Sequence, residues 1–242
     1  MLPVLFRIGS LDITSFGVMV ALGAMAGLWL FRKELARSGL PAAALDAAVY
    51  GLVGGLLGAK LLYVFEHLND GSFFGLLLDR GGMSWFGGFV GGLLTGWATI
   101  RAKHWPMMAV LAAATPALAV GQMLGRIGCF LVGDDYGHPT SLPWGVAFPQ
   151  GLPPTTERVH PTQIYEAIFL ALLAWVLIRW RRRGISDRTV LGRYLVIAGA
   201  FRFALEFVRV NTRVLGPLTV AQIFAVAVVV LGLVVLRPTR QA

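Results

Sequence analysis

The chain has 242 residues, of which 57% are hydrophobic and only 14% charged; soluble domains carry about 25% charged residues, so a water-soluble globule is excluded and lipid is the expected solvent. The formal net charge of +9 comes with no nucleic-acid-binding pattern and fits basic loops lying against anionic headgroups. A single cysteine, Cys129, excludes an intramolecular disulfide and a cysteine-clustered metal site, and no cofactor or metal is expected.

Residues 1–15 hold Pro3 and the alternating stretch LFRIGSLDITS, which predicts a short amphipathic segment on the membrane surface. No basic start or A-x-A-like cleavage site precedes the first apolar run, so that run, 16–31, is expected to stay as the first span, stopped by Arg32, Lys33 and Arg37. A span needs about 20 apolar residues, and 43–65 supplies the second, with Gly51, Gly55 and Gly58 on one face for close packing. Lys60 on this span pairs with Glu66 or snorkels. A polar connector, 66–82, leads to the glycine-rich third span, 83–100, and the fourth is 107–132. The segment 133–161 is a long Pro- and Gly-rich loop whose length marks it as functional. Spans five, six and seven are expected over 162–180, 191–210 and 218–236.

Basic residues set the orientation. Arg32, Lys33, Arg37, Arg101, Lys103, Arg179, Arg181, Arg182, Arg183, Arg188, Arg193, Arg237 and Arg240 fall on one side, against Arg7, Arg80, Arg158 and Arg213 on the other. The positive-inside rule then gives a single polytopic all-α membrane domain of seven helices, N-terminus outside, C-terminus cytoplasmic and the long loop outside.

The stretch 121–140, GQMLGRIGCFLVGDDYGHPT, is where chemistry is expected. An arginine inside an apolar run costs about 2.5–3.5 kcal/mol on insertion scales, so Arg126 faces a cavity or a partner. Gly121, Gly125 and Gly128 let backbone or a ligand approach it. Asp134, Asp135, Tyr136 and His138 crowd the end of the run; the two acids are either solvated or a base near a chamber mouth. Cys129 reads most simply as a small buried hydrophobe, since a nucleophile needs a nearby base. In GAFRFALEFVRVN, Arg202 and Glu206 share a helix face and Arg209 lies a turn further on. They form a register-fixing ion pair, or Arg202 converges with Arg126 on a phosphate, which suits guanidinium geometry. His160, Tyr165 and Glu166 stand at the start of span five.

GRIGCFLVGDDYGHPT resembles the GR-x-GN-F-x-NGE-x-x-GR-x-T signature of prolipoprotein diacylglyceryl transferases. FGVMVALG, GAKLLYV, GGMSWFGG, HPTQIYE, FRFALEFVR and LTVAQI agree in order along the chain. The resemblance implies a seven-helix enzyme of the bacterial inner membrane, acting as a monomer without a cofactor. It would move diacylglycerol from phosphatidylglycerol to the lipobox cysteine of a preprolipoprotein signal peptide and release glycerol 1-phosphate. Arg126 and Arg202 fall on the family's two essential arginines, and Gly137 and Glu206 on other motif positions. Several positions depart. The family's thiol-activating histidine falls on Phe86, an asparagine on Cys129, a glutamate on Asp134, and tyrosines on Phe16 and Ala198. Asp134, Asp135, His138 and His160 are the replacement bases, Asp134 foremost. Arg209, Cys129, Tyr136, His138, His160, Tyr165 and Gly137 are expected to line the substrate. The altered positions leave two alternatives, a paralogue with another acceptor and a non-catalytic anionic-lipid-binding protein.

Overall fold

The structure is a computed structural model that describes residues 2–9, 11–79 and 82–238. Arg80 and Arg240, two of the orienting charges, lie outside these residues. In chain order the elements are β1 (Val4–Ile8), β2 (Leu11–Thr14), α1 (Ser15–Arg37), α2 (Asp46–Glu66), α3 (Phe73–Leu78), α4 (Trp85–Ala102), α5 (Met107–Val132), β3 (Val146–Phe148), β4 (Thr155–Val159), α6 (Thr162–Arg182), α7 (Asp187–Leu205), β5 (Arg213–Leu215), β6 (Leu218–Thr219) and α8 (Val220–Leu236). Among the described residues the strands pair within three antiparallel hairpins, β1–β2, β3–β4 and β5–β6. The protein is therefore mostly helical. Among the described residues four helical segments are long and apolar enough to cross a membrane: Ser15–Arg37, Ala42–Glu66, Met107–Val132 and Thr162–Arg182.

The structure differs locally from the sequence expectation: α3 forms inside the connector 66–82 and the β3–β4 hairpin inside the loop 133–161. Residues 4–14 are a hairpin, because a period of two suits a strand pair and Gly9, at φ +59°, supplies the turn. The first helix runs past its basic stop to Arg37, since the buried Glu34 takes Arg37 as an ion partner one turn on, at 2.6 Å. The sixth predicted helix starts earlier and ends earlier than 191–210. Ser186 caps it by accepting from the Thr189 amide, and it stops at Leu205.

The chain forms two compact units, Phe31–Val110 and Met1–Leu30 with Leu111–Ala242. In the first, α2 and α4 meet backbone to backbone. A Cβ on Gly58 would lie 2.4 Å from the Gly87 carbonyl oxygen, and one on Gly91 the same distance from that of Gly54. This is the small-residue packing of membrane helices. Lys60 donates to the carbonyls of Asp79 at 2.7 Å and Gly82 at 3.4 Å. Phe86, half exposed, sets its ring edge-on to Trp85 at 5.2 Å.

In the second unit α1 and α5 approach through glycines. A Cβ on Gly23 would come 3.0 Å from the Gly121 oxygen, and one on Gly128 would come 3.0 Å from the Met19 Cβ. Pro116 lies inside α5 and cannot donate to the Ala112 carbonyl; Thr115 does so through its hydroxyl, at 2.9 Å, repairing the gap. A core of Leu170, Leu173, Ala174 and Leu177 on α6 with Val190, Leu191 and Tyr194 on α7 ties these helices to α5.

Candidate functional site

The site begins where α5 stops. Gly133 adopts φ +81°, and its amide and that of Asp134 both return to the Cys129 carbonyl, at 2.8 and 3.2 Å. This left-handed cap folds the chain back, so that the Cys129 sulfur and one carboxylate oxygen each of Asp134 and Asp135 lie within 4.8 Å of one another. Asp135 is itself left-handed, at φ +61°, a conformation that aspartate tolerates better than most residues. The buried first turn of α6 holds both acids by their backbone. The Thr162 hydroxyl donates to the Asp135 carbonyl at 2.7 Å, and the Gln163 amide donates to that of Asp134.

Around these acids the charges alternate. Arg126 places Nη1 2.6 Å from Asp135 Oδ2 and Nε 2.8 Å from Glu166 Oε2. The second oxygen of Asp135 lies 2.7 Å from Arg209 Nη2. Arg209 Nε is 3.9 Å from Glu206 Oε2, and that same oxygen accepts from Arg202 Nη1 at 2.5 Å. Glu206 Oε1 accepts from Asn211 Nδ2 at 2.6 Å and from the Thr219 hydroxyl at 2.7 Å. The row Glu166, Arg126, Asp135, Arg209, Glu206, Arg202 is thus continuous. Arg209 reaches it because α7 has already ended: Glu206–Val208 tightens into a 3-10 turn and Arg209 is extended, at φ −90° and ψ 151°, bridged to Gly137. It is Arg209, off the helix, that shares a carboxylate with Arg126; Arg202 joins one carboxylate further along.

Arg126 and Arg202 keep 22% and 25% of their side chains exposed, whereas Arg209 keeps 6%. A Cβ on Gly125 would meet nothing within 4 Å, so the turn carrying Arg126 is open on one side. Among the described residues Arg209 Nε and Nη1 are buried without a hydrogen-bond partner. Asp134 and Asp135 diverge electrostatically. Burial, with the neighbouring charge of Asp135, pushes the Asp134 carboxyl up. Burial acts the same way on Asp135, but Arg209 and Arg126 outweigh it and hold that carboxyl below its ordinary value. Cys129, Asp134 and Asp135 are the donor atoms a metal would need. Arg126 Nη1 stands 4.0 Å from the sulfur and two guanidiniums hold Asp135, so a cation there would face like charge.

Gly137 stitches the site together. Its amide donates to His160 O at 2.9 Å, the His138 amide donates to Val208 O at 2.9 Å, and the His160 amide returns to His138 O at 3.0 Å. A Cβ on Gly137 would fall 2.2 Å from the Val208 oxygen. His160 and Tyr165 form a separate pair. Trp144 Nε1 donates to the Tyr165 hydroxyl at 2.8 Å, and that hydroxyl shares a second hydrogen bond with His160 Nδ1, 3.2 Å away. Tyr136 donates to Pro153 O at 2.7 Å and stacks on Phe148, so it packs the long loop.

The family model for prolipoprotein diacylglyceryl transferases matches residues 3–237. The chain belongs to this family. A protein of Clostridium tetani (strain Massachusetts / E88) named phosphatidylglycerol–prolipoprotein diacylglyceryl transferase is 34% identical over 247 residues, covering 99% of this chain and 98% of its own. Proteins of the same name from Geobacter sulfurreducens (strain ATCC 51573 / DSM 12127 / PCA) and Nitratidesulfovibrio vulgaris (strain DSM 19637 / Miyazaki F) are 35% and 31% identical. They cover 96% and 99% of this chain, and 92% and 94% of their own.

In this member of the transferase family, Arg126, Cys129, Asp134, Arg202, Glu206 and Arg209 are brought into one network. Gly137 and His138 enter it through backbone, and Tyr136 stands apart in the loop. Sequence reasoning placed Glu166 beside His160 without seeing it as the partner of Arg126; its place on the first turns of α6 was the available signal. Asn211, Thr219, Thr162 and Gln163 carry no pattern of their own, and only the fold brings them in.

Proposed function

We propose that this chain transfers diacylglycerol from phosphatidylglycerol to the lipobox cysteine thiol of a preprolipoprotein and releases glycerol 1-phosphate. What carries the reading is the row of three arginines, two of them partly open, in a chain that matches transferases of that name along nearly its full length. Arg126, Arg209 and Arg202 hold the lipid's phosphodiester. The thiol sulfur attacks the diacylglycerol carbon that bears the phosphate ester. A C–S bond forms, the C–O bond to phosphate breaks, and the electron pair leaves with the phosphate oxygen. The guanidiniums stabilise the charge that builds there. The thiol proton goes to Asp134, whose raised pKa suits a base working near neutrality better than an ordinary carboxylate does.

The same reading gives seven spans in the bacterial inner membrane, the N-terminus and the site outside, a cytoplasmic C-terminus and a monomer. Labelled phosphatidylglycerol and a lipobox peptide, supplied to membranes containing the protein, test it. Arg126→Ala and Arg202→Ala are expected to abolish lipidation, and full activity in either would remove the phosphate clamp. Complementation of a transferase-depleted bacterium tests acceptor and turnover together.

Phe86, at the family's histidine position, favours a second reading, a lipid-binding protein without turnover or a paralogue with another acceptor. Binding of phosphatidylglycerol without release of glycerol phosphate would decide for the first of these. Label on a product other than the peptide would decide for the second.

A further inference from the structure

Asp135 is the feature of the site that the transfer chemistry leaves unused. Both of its oxygens are engaged by guanidiniums, Oδ2 by Arg126 at 2.6 Å and Oδ1 by Arg209 at 2.7 Å, so it is not free to act as a base. We infer that Asp135 is the clamp's own counter-ion: its carboxylate fills the place between Arg126 and Arg209 that the phosphodiester takes during reaction, yields on binding, and returns as product leaves. The inference rests on the transferase reading.

Four observations point the same way. A carboxylate and a phosphodiester each offer two equivalent oxygens and one negative charge to an arginine fork. The acid lies on the open side, with 44% of its side chain exposed against 22% and 6% for the arginines behind it. Its backbone is anchored separately, through Thr162 on the carbonyl, so rotation about Cα–Cβ can withdraw the carboxylate while the chain stays in place. Finally, Arg209 keeps Nε and Nη1 buried without a hydrogen bond, Nε having only its 3.9 Å ion contact with Glu206; the carboxylate leaves these donors unused, and the ester oxygens of a phosphodiester add acceptors beyond its two charged ones.

An internal anion of this kind weakens every ligand that must displace it. The released glycerol 1-phosphate is a dianion and would otherwise hold the arginines more firmly than the monoanionic lipid does. Asp135 therefore favours product departure, at the expense of lipid affinity.

The test uses the full-length purified protein in phosphatidylglycerol-containing nanodiscs, with wild type, Asp135→Asn, Asp135→Ser and Asp135→Glu. Equilibrium binding of glycerol 1-phosphate is measured alongside KM, kcat and product inhibition. The two neutral variants should bind glycerol 1-phosphate on the order of tenfold more tightly, with KM and the inhibition constant falling together and kcat reduced. Asp135→Glu, which keeps the charge, should stay near wild type. Unchanged or weaker glycerol 1-phosphate binding in the neutral variants would overturn the inference. So would failure of both to fold, since a displaceable counter-ion is not what the fold should rest on. Wild type that releases no glycerol 1-phosphate would instead overturn the transferase reading, and the binding arm would still decide the role of Asp135.

Discussion

Replacing Glu206 by glutamine removes a charge and an acceptor oxygen from a place where every partner donates. Oε1 receives Asn211 and Thr219, and Oε2 receives Arg202, on a carboxylate with no exposed side-chain surface. A glutamine has one oxygen for these three donors. The least costly orientation turns its amide nitrogen toward Asn211 and Thr219, which can flip or rotate to accept, and leaves Arg202 with a neutral partner. Breaking a buried pair costs about 3–5 kcal/mol. Arg202 is a quarter exposed and recovers some hydration, so the lower end applies, about 3 kcal/mol. For a chain of this length about 2–4 °C of melting temperature goes with each kcal/mol, hence a fall of about 6–12 °C. Fluorescence melts in detergent, run beside the lipidation assay, would measure it. A Glu206→Gln protein melting within about 2 °C of wild type, less than 1 kcal/mol is worth, would refute the reasoning.

Gly137→Ala should lower both activity and melting temperature, because its Cβ would meet backbone at Val208 and side-chain carbons of His160 and Thr162; overpacking of this kind costs about 1–3 kcal/mol, and a melt matching wild type would remove Gly137 as the stitch. Asp134→Asn should separate stability from turnover. The raised pKa of Asp134 means the folded chain holds that proton more tightly than the unfolded chain, so ionisation costs stability above the ordinary carboxylate range and nothing below it. The variant should therefore melt higher than wild type at neutral pH, match it in strong acid, and turn over on the order of 10²-fold more slowly. Melting curves across pH and initial rates check both halves.

The helices were legible because long apolar runs bounded by basic residues leave few alternatives. Their ends were less so. Asp187, Arg188 and Thr189 look like loop, yet Ser186 and the acidic first turn begin α7 there, two of the usual start signals. At the other end the spacing of Arg202, Glu206 and Arg209 reads as one helical face, and no local signal announces that the helix tightens and lets Arg209 go. The anionic character of the expected ligand followed from Arg126 alone, since an arginine in an apolar run requires a partner. Which carboxylates meet it did not, because Asp135 and Glu166 are equally spaced from many things in sequence and adjacent to Arg126 only once α5 and α6 are packed.

Thr219 belongs to two structures at once. Its hydroxyl receives the Gln222 amide and completes the reciprocal cap that starts α8, while its proton goes to Glu206. A single oxygen atom therefore couples the fraying of the last helix to the charge state of the arginine row. A ligand that draws Arg202 off Glu206 frees the carboxylate to hold Thr219 harder, and the amides opening α8 should then exchange with solvent more slowly, a report on site occupancy that can be read without touching any residue in it.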